Sequence, residues 1–309
     1  MKSIKVFASA TVSNVACGFD IMGFPIEKPG DEVIVKLKKS TGVVITKITG
    51  DNGRLSLNPK KNTAGVSVLA FLKHIKSKQG VEIELHKKMP LGSGLGSSAA
   101  SSTGSVFGLN ELLGNPLSAM DLLPFAMEGE RVACGSAHAD NVAPCLLGGF
   151  VLIRSYDPLD VIKISVPKNL YCTVIHPHIE VRTEDARKIL RKEISLSDAI
   201  IQWGNIAGLV AGLMKSDYSL IGRSLEDVIV EPVRSILIPG FEKIKQSVKK
   251  TGALGFSISG SGPSLFALSN SKKIANDVGK VMLSEFDLLK IDSEVYVSKV
   301  SENGPIIID

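Results

Sequence analysis

The stretch PLGSGLGSSAASSTG, beginning at Pro90, sets three glycines at alternate positions, Gly92, Gly94 and Gly96, directly before a run of small residues with helical character. Glycine admits positive φ, so neighbouring backbone N–H groups can turn toward one point, and the start of the next helix adds its own free amides. Such a loop can hold an anion, above all a phosphate, and the helix end favours a negative charge by about 0.3–1 kcal/mol. Glycines alone also suit a tight turn packed on another backbone. The common nucleotide and hydrolase patterns do not fit: G-x-x-x-x-G-K-[ST] lacks its lysine, the third glycine comes one residue early for G-x-G-x-x-G, and G-x-S-x-G occurs nowhere. The serines read as hydroxyl ligands or helix caps.

Other charged residues are ambiguous by themselves. Glu128, Glu130 and Arg131 form a mixed-charge patch at a helix end, Arg187 lies near Glu184 and Asp185, and Arg234 follows Glu231. Isolated groups of this kind are most often solvated ion pairs. His138 has an unperturbed pKa near neutrality and suits a general base, although an orienting role fits it better.

These residues need elements to position them. IKVFA, DEVIVKL, GVVITKI and VEIELHKK read as strands, and TAGVSVLAFLKHIKSK as a helix between the last two. SSAASSTGSVFGLNELLG predicts a helix ending at Gly114, in which Gly104 and Gly108 permit close packing on a neighbour. PLSAMDLLPFAMEGERVA predicts a second helix with a kink or join at Pro124, delivering Glu130 toward the loop CGSAHADNVAP, and GGFVLIRS reads as a strand. Beyond about residue 160 the pattern restarts. VIKISVP, LYCTVIHP, ALGFSISG, PSLFALS and EVYVSKV read as strands, separated by helices such as PGFEKIKQSVKK and SKKIANDVGKVML. Two α+β domains, 1–160 and 161–309, are expected, with a cleft between them.

The whole chain of 309 residues is 44% hydrophobic, 22% charged and 5% aromatic, an ordinary globular composition. Lys and Arg number 36 against 31 acidic residues, and no basic run interleaves with aromatics, so nucleic-acid binding is not suggested while a small anionic ligand is compatible. Cys17, Cys134, Cys145 and Cys172 lack metal or disulfide spacing and read as buried free thiols. No signal-peptide pattern or membrane-length apolar run is present, and a cytoplasmic protein with no membrane partner is expected.

Pro90 to Ala100, PLGSGLGSSAA, resembles the central ATP-binding motif of the GHMP kinases. SNVACGFD resembles the first motif of that superfamily in its homoserine kinase form, and GFSISGSGPSLFAL the third. HADNVAPCLLGGF, RTEDARKIL and EPVRSILIPGF are characteristic of the homoserine kinase family, and the matches run in order over nearly the whole chain. Many relatives carry Pro at the position of Ser9 and Ala at that of Ser13.

The resemblance implies an amino-terminal domain like the second domain of ribosomal protein S5 and a ferredoxin-like carboxyl-terminal domain. It also implies ATP-dependent phosphorylation of L-homoserine for threonine synthesis, Mg2+, and a homodimer. By resemblance ATP would lie on Pro90, Leu91, Gly92, Ser93, Gly94 and Leu95, then Gly96, Ser97, Ser98, Ala99 and Ala100, with Asn62 near the adenine or ribose. Ser98 and Glu130 would hold the metal, and Asn141 would align the reacting hydroxyl. Asn14 and Asp20 would face the amino acid, Asp20 for its ammonium, with Arg187, Arg234 and Thr183 for its carboxylate and His138 and Asp140 close by. A neutral amide at 141 cannot act as a base, so direct in-line transfer is implied. A kinase for another small alcohol such as mevalonate, or an inactive ligand-binding relative, remain the alternatives.

Overall fold

The computed structural model describes residues 2–135 and 137–308, and of Ala133 and Cys134 the backbone alone. In the first domain, strands β1 (Ser3–Ser13), β2 (Met22–Lys38), β3 (Val43–Thr49) and β4 (Gly80–His86) are joined by helix α1 (Thr63–His74) between β3 and β4. Helices α2 (Ser97–Leu112), α3 (Ala119–Cys134) and α4 (Val142–Leu147) follow, then β5 (Phe150–Tyr156) and β6 (Leu159–Ile164). Small residues bring α2 close to the sheet: a Cβ at Gly104 would stand 2.9 Å from Val33 Cγ2, and one at Gly108 3.0 Å from Val35 Cγ2. Phe71, Val106, Leu109 and Leu123 from α1, α2 and α3 close the core over Val33, Ile83 and Leu85. Gly114, at φ +83°, follows the end of α2 as the expected stop. Pro124 neither joins nor divides two helices; α3 runs through it, started by a Ser118–Asp121 capping box.

The second domain contains β7 (Tyr171–Pro177), α5 (Thr183–Lys188), α6 (Leu196–Lys215), α7 (Tyr218–Ser224), α8 (Glu231–Arg234) and α9 (Phe241–Lys250). It continues with β8 (Gly255–Ile258), β9 (Leu265–Ser269), α10 (Lys272–Leu288) and β10 (Ser293–Lys299). Its antiparallel sheet has the order β10-β7-β9-β8, fourth-first-third-second in chain order, which is the ferredoxin-like arrangement. The first sheet has the order β11-β1-β2-β4-β3, where β11 is Ile306–Ile308, and β5 and β6 extend from β2. Two details depart from the sequence expectation. VIKISVP is a strand, but it pairs with β5 rather than opening the second unit, because the tight turn after Tyr156 folds it straight back. The carboxyl terminus also returns to β1.

The expected two-domain α+β fold is present. Its halves share an apolar junction: Phe24 lies 4.6 Å from Phe150 and 6.0 Å from Phe266, centroid to centroid, beside Val174 and Leu268. Cys17, Cys145 and Cys172 are buried free thiols within it; the side chain of Cys134 lies outside the described residues. Among the described residues no helix is long and apolar enough to cross a membrane.

Candidate active site

The loop between β4 and α2 takes positive φ at Gly92 (72°), Gly94 (79°) and Gly96 (70°). Gly96 is the N-cap of α2 and contributes no side-chain cap, so the first amides of the helix remain for a ligand. The glycines are also steric necessities. A Cβ on Gly94 would lie 2.4 Å from the Ser259 carbonyl oxygen, and one on Gly96 would lie 2.0 Å from Thr11 Oγ1 and 3.0 Å from Asn141 Oδ1. The loop therefore rests against the third motif on one side and against the Asn141 side chain on the other.

A cavity of about 630 Å3 opens over this loop. It is lined by Leu91 through Ser98 and by Asn62, Glu130, His138, Asp140, Asn141, Thr183, Arg187 and Arg234, together with Asn14. Pro90, Ala99 and Ala100 do not line it. Pro90 accepts a hydrogen bond from Ser93 Oγ through its carbonyl, and the two alanines are fully buried behind the loop. Asp20 stands at the border, tied to Arg187.

Ser98 Oγ donates to Glu130 Oε2 at 3.1 Å, joining the first turn of α2 to α3. A hydroxyl and a mostly buried carboxylate, both oxygen donors beside the amide cradle, fit a hard cation that keeps several waters and shares phosphate oxygens. Among the described residues no group of three or more His, Cys, Asp or Glu could cage a metal.

At the other end, Arg187 forks onto Asp20 at 2.8 and 3.2 Å. Arg234 is buried; it donates to the carbonyls of Ala186 and Gly260, each at 3.1 Å, and its guanidinium stands 4.8 Å from the Phe19 ring centroid. Burial and the neighbouring Arg187 pull its pKa down to about 10, so it stays cationic at neutral pH. Asn14 Oδ1 accepts from the Asp20 amide at 2.8 Å while Nδ2 donates to the Gly260 carbonyl at 2.8 Å, fixing the turn that presents Asp20. His138 Nδ1 is 4.0 Å from Asp20 Oδ1, and burial lowers its pKa, leaving the imidazole neutral. Burial, and then the charge of Asp20, raise Asp140 to about 7. Two guanidinium groups thus stand at one end of the cavity beside the Asp20 carboxylate, an arrangement suited to a ligand carboxylate. Thr183 Oγ1 lies 3.0 Å from Ser261 Oγ on the third motif.

The Asn141 amide is clamped. Thr11 Oγ1 donates to its Oδ1 at 2.7 Å, and its Nδ2 donates to Ser13 Oγ at 2.9 Å. Ser13, where many relatives carry Ala, is therefore a working contact, and Thr11 was not legible as one. The other missed residue is Lys87, at the end of β4 and on the cavity wall. It pairs with buried Asp31 and donates to the Ser97 carbonyl at 2.6 Å and Ser101 Oγ at 2.7 Å. Its signal was present: a lysine pair, HKKM, closing an otherwise alternating strand immediately before the loop.

Comparison with known proteins identifies the family. Residues 62–149 match the GHMP kinases N terminal domain and residues 209–287 the GHMP kinases C terminal domain. The homoserine kinase of Chlorobium phaeobacteroides is 54% identical over 320 aligned positions that cover 100% of both chains. The crystal structure of homoserine kinase from Cytophaga hutchinsonii superposes with a TM-score of 0.97 at 62% identity, covering 100% of this chain and 98% of that one. A mevalonate kinase from L. major, solved with R-mevalonate, shares the fold at a TM-score of 0.70 and 17% identity, over 96% of each chain. With full-length identity above half and both domain models matched in order, the chain belongs to the homoserine kinases of the GHMP kinase superfamily.

Proposed function

We propose that the protein transfers the terminal phosphoryl group of ATP to the side-chain hydroxyl of L-homoserine, giving O-phospho-L-homoserine and ADP. The observation that carries this reading is the pairing of Asp20 with Arg187, which lines one cavity together with Arg234, Asn141 and the amide cradle. A zwitterion matches it: the substrate ammonium replaces the Arg187 guanidinium on Asp20, and its carboxylate takes the released fork of Arg187 with Arg234 beside it. Thr183 orients the same carboxylate, with His138 and Asp140 walling the chain between. Mevalonate has no ammonium and would leave Asp20 unmatched.

ATP phosphates lie on Gly92 to Ser98 at the helix end, with Asn62, Leu55 and Lys61 toward the nucleoside. Ser98 and Glu130 would hold Mg2+, which neutralises charge on the transferring phosphoryl group. Asn141, held by Thr11 and Ser13, aligns the acceptor hydroxyl for in-line attack, and the hydroxyl proton leaves to water or to the phosphate. The buried thiols suit a reducing cytoplasm.

A coupled ADP-release assay comparing L-homoserine, serine, threonine and mevalonate tests the proposal. Turnover with homoserine at least tenfold above the others supports it. Preference for mevalonate, or no ADP release with any acceptor, overturns it.

A further inference from the structure

Tyr156 closes β5 and does not line the cavity, yet its side chain touches segments that build the acceptor end. Its hydroxyl donates to the Asp20 carbonyl at 2.8 Å and accepts from the Ala139 amide at 3.3 Å. Its ring stands edge-on to that of His138, the centroids 6.5 Å apart and the planes at 88°. A phenol has one proton to give and lone pairs with which to accept, so a single oxygen completes a chain from the Ala139 N–H to the Asp20 carbonyl.

The two segments joined in this way carry different parts of the site. Ala139 immediately precedes Asp140 and Asn141, both on the cavity wall, while Asp20 holds the Arg187 fork at the border. Asp20 has a φ of +59°, a left-handed conformation that side chains other than glycine rarely adopt. It is held there from both sides: its amide donates to Asn14 Oδ1 at 2.8 Å, and its carbonyl takes the Tyr156 proton. One residue on, the Ile21 carbonyl accepts from Ile153 N at 2.8 Å, so β5 runs along this chain and delivers Tyr156 to it. The Asn141 side chain is anchored separately by Thr11 and Ser13 on β1. What the Tyr156 hydroxyl fixes is therefore the place of Asp20 relative to Asn141. Without it the Asp20 peptide loses one of its two restraints against returning to negative φ, a rotation that would swing the carboxylate.

We propose that Tyr156 is a positioning residue whose hydroxyl sets the separation between the Asp20 carboxylate and the Asn141 amide, and with it the length of the hydroxy amino acid that fits between them. The inference rests on the acceptor reading above for what those two groups hold. A four-carbon acceptor such as homoserine places its hydroxyl one methylene farther from its ammonium than serine does, and a fixed separation distinguishes the two.

Steady-state kinetics on the full-length protein, with L-homoserine, L-serine and ATP varied in turn, compare the wild type with Tyr156→Phe and Tyr296→Phe. Tyr296 is the control: it lies on β10 in the other domain and its hydroxyl donates to Glu294. Tyr156→Phe keeps the ring beside His138 at a position 40% exposed, so it folds, and its urea midpoint checks this. It is expected to raise the homoserine KM by about three- to tenfold with a smaller change in kcat and an unchanged ATP KM. The ratio of kcat/KM for homoserine over serine is expected to narrow by about threefold or more, and Tyr296→Phe to keep wild-type values. Homoserine KM and that ratio both within about twofold of wild type would show that the hydroxyl only anchors the hairpin, and this overturns the proposal. Equal rises in the KM of ATP and of the acceptor, a general loosening, overturn it too. The kinase reading is judged separately, by the acceptor that the wild type prefers. If that acceptor is not homoserine, the homoserine reading falls, and the KM of the preferred acceptor against that of ATP in Tyr156→Phe still decides the role of Tyr156.

Discussion

Lys87 and Asp31 form a buried pair beneath the phosphate loop, and its perturbation has a signature that packing alone would not give. Both side chains are almost completely excluded from solvent. Asp31 accepts from the amides of Lys88 at 2.7 Å and Met89 at 3.1 Å through one oxygen, and from Ser97 Oγ at 2.7 Å through the other, where Lys87 also sits. Removing one partner of such a pair costs about 3–5 kcal/mol, because the other charge stays buried. The lost stability corresponds to a fall on the order of 10 °C in Tm. In Asp31→Asn the amide oxygen can keep the two backbone donors, but its NH2 then faces the Lys87 ammonium. Burial already pulls the Lys87 pKa down, and Asp31 is the first opposing influence. Without that carboxylate the folded variant carries a neutral lysine, whereas the unfolded chain binds the proton up to about pH 10.4. The unfolded state then holds the extra proton, so stability rises with pH by about 1.4 kcal/mol per unit and is lost as pH falls. Urea midpoints between pH 6 and 9 measure this. Asp31→Asn should show the steep positive slope, while Lys87→Met and the double variant Asp31→Asn/Lys87→Met should not. The double variant should be more stable at pH 6 than Asp31→Asn alone. Single variants each costing under about 1 kcal/mol, or a slope in Asp31→Asn equal to that of the double variant, would refute the reasoning.

Three further outcomes follow from the site. Glu130→Gln should lower kcat by about 100- to 1,000-fold and abolish the Mg2+ dependence of the remaining rate with an unchanged urea midpoint; near-normal turnover removes Glu130 from the site. His138→Asn should keep the acidic limb of the pH–rate profile, because no side chain is required as base; disappearance of that limb with a large drop in rate counts against base-free transfer. Asp140 binds its proton in the folded chain up to about pH 7 and in the unfolded chain only to about 4, so this group makes stability fall as pH rises between those values, by about 4 kcal/mol in total. Asp140→Asn should remove that fall, read from urea midpoints at pH 5 and 8, and an unchanged pH dependence would show that the carboxyl is not held neutral.

The legible parts were those with local causes. Alternation and helical spacing located β1 to β5 and α1 to α3, and the glycine run fixed the loop that carries them into a site. What stayed hidden depended on distant partners. A strand's own residues do not say which strand it pairs with, so β6 was read into the wrong sheet although its existence was clear. Thr11 and Ser13 look like ordinary strand residues; their roles exist only because α4 brings Asn141 against β1, 130 residues away for Thr11. Lys87 was passed over because an exposed strand-end lysine and a buried one are identical in sequence, and only the position of Asp31, one strand over, separates them. The α6 segment, IIQWGNIAGLVAGLMK, is apolar nearly all round and rich in glycine, so periodicity could not tell its inner face from its outer one.

The seam between the domains explains why the third motif belongs to the site although it touches little of the cavity. Gly260 N donates to the Ser13 carbonyl at 3.1 Å, Ser264 N to the Ser93 carbonyl at 3.3 Å, and Ser259 Oγ to the Gly94 carbonyl at 2.7 Å. These bonds tie the carboxyl-terminal domain to both the clamp on Asn141 and the phosphate loop, with no space at Gly94 for a side chain. The glycine loop and the clamp on Asn141 are therefore joined through the third motif by two backbone bonds and one from the Ser259 hydroxyl. The other end is different: Arg187 and Thr183 sit on α5, a helix of 6 residues tied across the cleft by the Asp20 ion pair and, within its own domain, by the contact to Ser261 and the Arg234 bond to the Ala186 carbonyl. On the proposed reading, an incoming zwitterion competes for that ion pair. On the same reading, a substrate entering this end must open the contact between α5 and Asp20, while the glycine loop and Asn141 are already joined through the seam.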